Sequence, residues 1–173
     1  MMAAALVAAL TAVTTALNPS FRRGAASDTP LIMSTMLKEK MNPLGLNHGN
    51  FLVAEEGGAC VGFGQVRPLG GDGSSWELAS LYVEPSRRGD GIGQELVRRL
   101  LATHVESGQS LDEMYLLTLS STVGFYEKLS FTVVDEAEVP KEMAFEVSAG
   151  KAVSFLLGNT LVCMRHRDAG PPS

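Results

Sequence analysis

Residues 78–101, LASLYVEPSRRGDGIGQELVRRLL, carry the most informative pattern in the sequence. It reads as an apolar strand, a polar loop with three glycines, and an amphipathic helix that begins near Ile92. Glycines let the backbone approach a ligand closely, and a helix N-terminus presents free N–H groups at the positive end of the helix dipole. This arrangement predicts a phosphate-binding loop over residues 88–93.

The spacing of the glycines separates this loop from other phosphate-binding motifs. A dinucleotide-binding loop requires G-x-G-x-x-G, but the sixth position counted from Gly89 is Gln94. A Walker A loop requires Gly-Lys-Ser/Thr, and that triplet does not occur in the sequence. The remaining pattern is Arg-x-x-Gly-x-Gly between a strand and a helix. An ordinary tight connection is the alternative interpretation of the same residues.

Composition and charge limit the class of protein. The 173 residues suffice for one domain with a core, and 45% of them are hydrophobic. The net charge of −5 argues against a general nucleic-acid-binding protein, because such proteins carry a basic face. Cys60 and Cys163 lie in apolar runs and are predicted to be buried thiols without a disulfide framework. No Cys/His cluster has the spacing of a metal site.

The N-terminal residues differ in character from the rest of the chain. Residues 2–17 carry no charged side chain, and the run is too short and too rich in alanine and threonine for a membrane anchor. The run has the length of a signal-peptide core, and the acid-free residues after it look like a transit peptide. The sequence therefore predicts a targeting peptide over residues 1–26 and a domain over residues 27–173. Similarity to bipartite plastid signals favours a plastid; the mitochondrion, the secretory pathway and the cytoplasm are the alternatives.

Hydrophobic periodicity predicts alternating strands and helices. Predicted strands cover residues 51–54, 60–67, 76–83, 114–119, 131–134 and 160–165, and predicted helices cover residues 31–41, 92–104, 123–129 and 141–157. The turn at Gly57-Gly58 predicts an antiparallel hairpin. The strand–helix–strand unit over residues 76–119 predicts a parallel crossover. The predicted fold class is therefore α/β with a mixed sheet.

Three segments together resemble the GNAT N-acetyltransferase superfamily. The loop at 88–93 is similar to the pyrophosphate loop of that family, Gln/Arg-x-x-Gly-x-Gly/Ala. Residues 77–85, ELASLYVEP, resemble its fourth strand, and residues 124–131, GFYEKLSF, resemble its Phe-Tyr-x-Lys-x-Gly-Phe segment. The resemblance implies the acyl-CoA N-acyltransferase fold, a mixed, mostly antiparallel central sheet with helices on both faces. It also implies an enzyme that transfers an acetyl group from acetyl-CoA to an amine.

The resemblance assigns roles to particular residues. The implied contacts to acetyl-CoA lie on a strand edge, in the glycine loop and after the fifth strand. The backbone of the strand-edge residues would bond the pantetheine and face the thioester oxygen. These contacts are Leu81, Tyr82 and Val83 on the strand, Arg88, Gly89, Asp90, Gly91, Ile92 and Gly93 in the loop, and Ser120. Tyr126 is the candidate general acid, because a phenol holds its proton at neutral pH. Glu77 is the candidate general base, and Glu84 and solvent are the alternatives. Each of the two residues also has a purely structural interpretation. In it, Tyr126 only packs its helix on the sheet, and Glu77 is a strand residue that faces solvent.

The sequence departs from the family pattern in three places. Residues 119–122, LSST, stand where many members carry an asparagine after the fifth strand, and Ser120 or Ser121 is the expected replacement. Ser130 occupies a position that is usually glycine, and no first strand or helix is evident before Thr29. These departures leave a weak or inactive CoA-binding module, or a purely structural domain, as alternatives. The sequence leaves open the acceptor, which is a protein N-terminus, a lysine or a small amine, and the oligomeric state.

Overall fold

The computed structural model describes residues 18–43, 45–70, 73–144 and 159–167. Within these residues the strands are β1 (Ser20–Arg23), β2 (Phe51–Glu56), β3 (Ala59–Leu69), β4 (Ser75–Val83), β5 (Met114–Leu119), β6 (Phe131–Val133) and β7 (Leu161–His166), and the helices are α1 (Thr29–Lys38), α2 (Ile92–Glu106) and α3 (Val123–Glu127). Most of the predicted targeting peptide and most of the predicted helix over 141–157 lie outside the described residues. No helix among the described residues is long and apolar enough to cross a membrane.

The strands form one seven-stranded sheet in the order β1-β2-β3-β4-β5-β7-β6. Neighbouring strands are antiparallel except for β4 and β5, which are parallel because α2 lies between them in the chain. The predicted hairpin and the predicted parallel unit are both present. The sheet is therefore mixed, as the sequence pattern predicts, and mostly antiparallel, as the family resemblance implies.

Strand alternation divides the core into two layers, one on each face of the sheet. On β2, Phe51 and Val53 pack with Ile32 and Met36 of α1, whereas Ala54 faces the other way and packs with α2. We call these sides the α1 face and the α2 face. Full burial of one such apolar side chain stabilises the fold by about 1.5–3 kcal/mol, so the two layers hold the helices in place. Helices on both faces are confirmed.

Helix α2 packs closely on the sheet and so places the loop that precedes it. The buried residues of this helix are Ile92, Leu96, Val97, Leu100, Leu101 and His104. Their spacing forms one apolar stripe along the helix, as the sequence predicts. The close approach requires a small residue beneath the helix: a Cβ at Gly64 would lie 3.1 Å from Leu100 and 3.2 Å from Leu81.

The sheet begins earlier in the chain than the sequence predicts. The sequence places no strand before Thr29, yet β1 pairs with β2 in antiparallel register. Two arginines interrupt any apolar alternation in β1, so no local pattern marks it as a strand. The strand is held by pairing and by charge, since Arg22 lies 2.7 Å from both Asp28 and Glu55. The sheet therefore includes residues that the predicted boundary at 26 excludes.

The ladder between β4 and β5 is interrupted. These strands pair only at Trp76↔Met114 and Glu77↔Tyr115. Beyond this point β4 continues along β3, while β5 continues along β7. The two strands therefore diverge, and the edge of β4 that faces β5 has no strand partner over residues 78–83 in the described sheet.

A β-bulge lies in the same part of β4. Gln65 of β3 pairs with Ala79 and Phe63 pairs with Tyr82, so β4 carries one extra residue against β3. Ser80 at the bulge has a φ of 54°, in the left-handed region. The extra residue changes the alternation of β4 and brings Leu78 and Leu81 to the α2 face together.

The turn after α3 contains a second residue in the left-handed region, Ser130, with a φ of 65°. A glycine, which is the usual residue at this position in the family pattern, would adopt this conformation without strain. Hydrogen bonds fix the turn: the Ser130 N–H donates to the carbonyl of Glu127 at 3.1 Å, and its carbonyl accepts from the N–H of Arg167 at 2.9 Å.

Replacing Asp28 tests whether β1 and the turn after it belong to the stable domain. Hydrogen bonds from Arg22 lower the pKa of Asp28 from 3.8 to about 2. A carboxyl whose pKa is depressed by folding stabilises the fold above its unfolded pKa, and this stabilisation is lost as the pH falls toward 2. We expect Asp28→Asn to reduce the free energy of unfolding by about 1–2 kcal/mol at pH 7, after allowance for the solvent exposure of Arg22.

Urea denaturation at pH 7, 4 and 2 measures this difference, which should shrink as the pH falls. Glu106→Gln is the control, because it makes the same chemical change at an exposed carboxyl. Equal stability of Asp28→Asn and wild type at pH 7 would show that the interactions of Asp28 do not stabilise the fold.

Candidate active site

The candidate site is the cleft where β4 and β5 diverge. The open edge of β4 offers backbone N–H and C=O groups that an extended ligand with amide groups can bond as an added strand. Leu81, Tyr82 and Val83, the predicted cofactor contacts, lie on this part of β4. The side chains of Leu81 and Val83 pack on the α2 face, whereas Tyr82 stacks on Phe63 of the α1 face with ring centroids 5.2 Å apart. Their side chains thus anchor β4 on both faces.

The glycine loop connects the end of β4 to α2. Gly91 is the N-cap of α2 and has a φ of 82°, which glycine adopts without a steric penalty. No side chain caps this helix end, and a Cβ added at Gly91 would meet no atom within 4 Å. The N–H groups at Ile92 and Gly93 belong to the first turn, where α-helices have no internal acceptor. The loop therefore has both the room and the donors that a phosphate requires.

The charged side chains of the loop are bonded to other parts of the protein. Arg88 donates from Nε to the carbonyl of Val83 at 3.0 Å, and its guanidinium lies 3.6 Å from the carboxylate of Glu39. Asp90 accepts a hydrogen bond from Nε of Arg87 at 2.9 Å. These contacts engage the side chains of Arg88 and Asp90, so the backbone is the part of the loop best placed to bind an anion.

Gly93 is the point at which the loop, β4 and α3 meet. A Cβ at this position would lie 3.4 Å from the side chains of both Val83 and Phe125. Phe125 in turn contacts Tyr126 edge-on, with ring centroids 4.9 Å apart. The structure thus brings the candidate acid to the same face of the sheet as the glycine loop.

Tyr126 is the candidate acid, and its ring packs against the core of the α2 face. Its hydroxyl is hydrogen-bonded to Thr118, whose Oγ1 lies 2.6 Å from Oγ1 of Thr122. Burial raises the pKa of Tyr126 to about 12, although the bond with Thr118 opposes the shift. The phenol therefore keeps its proton throughout the neutral range. The ring of Tyr126 thus packs its helix on the sheet, and the hydroxyl keeps a proton to donate.

Glu77 is the candidate base, and it lies where β4 and β5 separate. Its residue is only 5% exposed, so the interpretation as a solvent-facing strand residue is wrong. The carboxylate accepts a hydrogen bond from Nε of Arg67 at 2.7 Å, because the two residues are directly opposite on β4 and β3. The alternative base Glu84 accepts from the hydroxyl of Tyr82 at 2.7 Å.

A pocket of about 330 Å³ opens beside Glu77. Its polar side chains are Asn47, Asn50, Arg67, Glu77 and Glu142, and Met143 adds an apolar surface. Arg67 and Glu77 form an ion pair, which leaves Glu142 as the excess charge among the described lining residues. The pocket is therefore suited to a ligand with a positive charge.

Ser120, the remaining predicted cofactor contact, takes part in a network between β5 and β7. Its hydroxyl donates to Oδ1 of Asn159 at 2.9 Å and accepts from the N–H of Thr160 at 3.2 Å. Nδ2 of Asn159 donates to the hydroxyl of Ser121 at 3.0 Å. An asparagine therefore does lie beside the end of β5, supplied from 39 residues further along the chain. Asn159 could not be predicted from the sequence, because its place beside Ser120 follows from the pairing of β5 with β7.

Comparisons with known proteins agree with this geometry. Residues 47–133 match the family model described as an acetyltransferase (GNAT) domain. An uncharacterised N-acetyltransferase of Schizosaccharomyces pombe is 34% identical over 101 residues, which is 57% of this chain and 61% of that protein.

Two solved structures illustrate the likeness in fold. N-acetylglutamate synthase from Neisseria gonorrhoeae, solved with coenzyme A and N-acetyl-glutamate, has a TM-score of 0.60 at 19% identity, over 86% of this chain and 35% of the synthase. The protein yncA from Salmonella typhimurium, solved with acetyl-CoA, has a TM-score of 0.58 at 19% identity, over 90% of this chain and 98% of yncA. The chain spans about three fifths of the yeast relative and about a third of the synthase.

Replacing Gly91 tests the assignment of the glycine loop. We expect Gly91→Glu to abolish measurable binding of acetyl-CoA, because a carboxylate at the helix N-terminus would fill the open space and repel the phosphates. Isothermal titration calorimetry of the folded variant measures the effect.

Gly58→Glu is the matched control for backbone strain. Gly58 has a φ of 83° and equally open surroundings, but it lies in the turn between β2 and β3. We expect this control to bind acetyl-CoA as the wild type does. Normal affinity of a folded Gly91→Glu variant would place the pyrophosphate elsewhere.

Proposed function

The chain belongs to the GNAT acetyltransferase family, and we propose that it transfers an acetyl group from acetyl-CoA to a primary amine. The observation that carries the proposal is the cleft, which combines an open strand edge with an uncapped helix N-terminus. Coenzyme A contains amide groups that can bond a strand edge and a pyrophosphate that can bind a helix N-terminus. The cleft therefore offers a complementary group to each part of this molecule.

The backbone of this chain would supply most of the contacts to the cofactor. In the proposal, the N–H groups around Gly91 and Gly93 hold the pyrophosphate, and the edge of β4 at residues 81–83 bonds the pantetheine arm. Asn159 provides the side-chain amide that the family pattern expects after the fifth strand, because its bonds to Ser120 and Ser121 keep it beside the end of β5.

The candidate acid and base lie on opposite faces of the sheet. Glu77 faces the α1 side through its pair with Arg67, whereas Tyr126 packs on the α2 face. In acyl transfer, the amine approaches the thioester carbon from one side while the thiolate departs from another. Glu77 can thus accept the amine proton, and Tyr126 can donate a hydrogen bond and a proton to the leaving sulfur.

The pocket beside Glu77 is the proposed acceptor site. It adjoins the candidate base, and its excess negative charge favours an amine that arrives as a cation.

A protein N-terminus, a lysine side chain and a small amine are the three classes of acceptor to compare. Release of the CoA thiol in the presence of each class tests the function. Binding of acetyl-CoA without amine-dependent release would indicate a binding module instead.

Tyr126→Phe tests the acid. The substitution keeps the ring in the core and removes only the hydroxyl, so affinity for acetyl-CoA should change little. We expect kcat to fall by roughly 10- to 1000-fold, the range of typical general-acid contributions. Because the pKa of Tyr126 is raised to about 12, its ionisation should not reduce the wild-type rate below pH 10.

Tyr115→Phe is the matched control. Burial also raises the pKa of Tyr115 to about 12, but its hydroxyl donates to Glu113 at 2.9 Å. We expect the control to retain the wild-type kcat. Equal kcat values for Tyr126→Phe and wild type would remove Tyr126 from the chemistry.

Glu77→Gln tests the base. The rate should fall most near neutral pH, where the acceptor amine is largely protonated and needs a base. The defect should shrink as the pH rises, because the free amine then becomes abundant without help. The measurement is the pH–rate profile of kcat/KM.

Arg67→Gln is the control for the ion pair, because it breaks the same contact but keeps the carboxylate. Its pH–rate profile should keep the wild-type shape. Glu77 would have a structural role only if the Glu77→Gln profile ran parallel to that of the wild type, or if Arg67→Gln showed the same pH-dependent defect as Glu77→Gln.

A further inference from the structure

We propose that Gln65 is a positioning residue for acetyl transfer, and that it acts by holding the bulge of β4 through Ser80. The proposal rests on the function proposed above and adds a residue that neither the family motifs nor the cleft contacts include. Gln65 lies on β3, opposite Ala79 of β4.

Gln65 is an unusual residue for its position. It is completely buried, and its neighbours on the α1 face include the aromatic ring of Phe63. Its Oε1 is buried and has no hydrogen-bond partner among the described residues. A buried amide oxygen without a partner destabilises a fold, and an apolar side chain of the same size would avoid this penalty. The amide group therefore needs an explanation other than stability.

The nitrogen of the Gln65 amide provides that explanation through its hydrogen-bond partner. Nε2 of Gln65 donates a hydrogen bond to Oγ of Ser80 at 3.1 Å. Ser80 lies at the bulge, and its φ of 54° is unfavourable for a residue with a Cβ. Residues in such conformations persist only where the surroundings fix them. Gln65 thus fixes the most strained residue of β4.

The bulge lies where its geometry matters for the reaction. Ser80 is within the part of β4 that has separated from β5 and directly precedes Leu81. The family resemblance implies that a backbone N–H near Leu81 to Val83 faces the thioester oxygen. A hydrogen-bond donor stabilises developing charge only when its distance and direction are correct. A bulge that could relax would turn this donor away from the oxygen.

A double-mutant cycle tests the proposal on the full chain. Gln65→Met keeps the length of the side chain and removes the donor, whereas Ser80→Ala removes the acceptor. We expect each variant to lower kcat by roughly 10- to 100-fold, the effect of a displacement of about 1 Å, with little change in acetyl-CoA affinity. The double variant should be no slower than either single variant, because both substitutions remove the same bond.

Val53→Ala is the control for lost stability. It removes buried atoms from β2, two strands from the cleft, and should reduce the thermal midpoint without lowering kcat. The proposal is overturned if Gln65→Met lowers the midpoint and leaves kcat unchanged, or if the losses in kcat multiply in the double variant. Should Gln65→Met fail to fold, Ser80→Ala tests the same bond from its other end.

A measurement without turnover separates this proposal from the function itself. In the free protein, the ¹⁵N–¹H signals of Ser80 and Leu81 should shift or broaden in Gln65→Met. They should stay unchanged in Val53→Ala, because Val53 belongs to the core cluster on the α1 face whereas Leu81 packs on the α2 face. Unchanged signals in Gln65→Met would overturn the positioning role, whatever the activity. An inactive wild type with intact signals would instead contradict the acetyl-transfer function.

Discussion

The whole arrangement depends on a hydrogen-bond ladder that is left incomplete in the middle of the sheet. Unpaired N–H and C=O groups inside a sheet are costly, so strands normally pair on both edges. Here β4 remains bonded to β3, and β5 remains bonded to β7, so each strand beside the gap keeps one complete edge. Because α2 begins just beyond the end of β4, its N-terminus lies close to the end of the opening. The cleft is thus a consequence of how the sheet is paired.

Much of the fold could be predicted where the signal is local. The predicted strand over 114–119 has the bounds of β5, and the predicted helix begins with α2 at Ile92, because an apolar run and Gly91 mark these elements. β2 and β3 are longer than predicted, since pairing extends them into less apolar residues. β1 could not be predicted, because its two arginines interrupt the pattern and its stability comes from β2 and from acidic partners.

Some features of the candidate site could likewise be predicted from the sequence, and others could not. The glycine loop is contiguous, so its spacing alone predicts a phosphate site and resembles a known family. The pair of Glu77 with Arg67 depends on the register of two strands, and the place of Asn159 depends on a contact across 39 residues. The bulge at Ser80 arises from a difference of one residue between paired strands. None of these features leaves a local pattern, because each is a property of two segments together.

The strand that the sequence did not predict has a further effect on the behaviour of the protein. β1 and β6 form the two edges of the sheet that the structure describes, with four and three residues respectively. An exposed edge offers unpaired backbone groups that can template a strand of another chain, and short, charged edges resist this. β1 carries Arg22 and Arg23, and Arg22 forms an ion pair with Glu55 of β2. The two arginines that interrupt the apolar pattern of β1 thus also make this edge of the sheet less prone to aggregation.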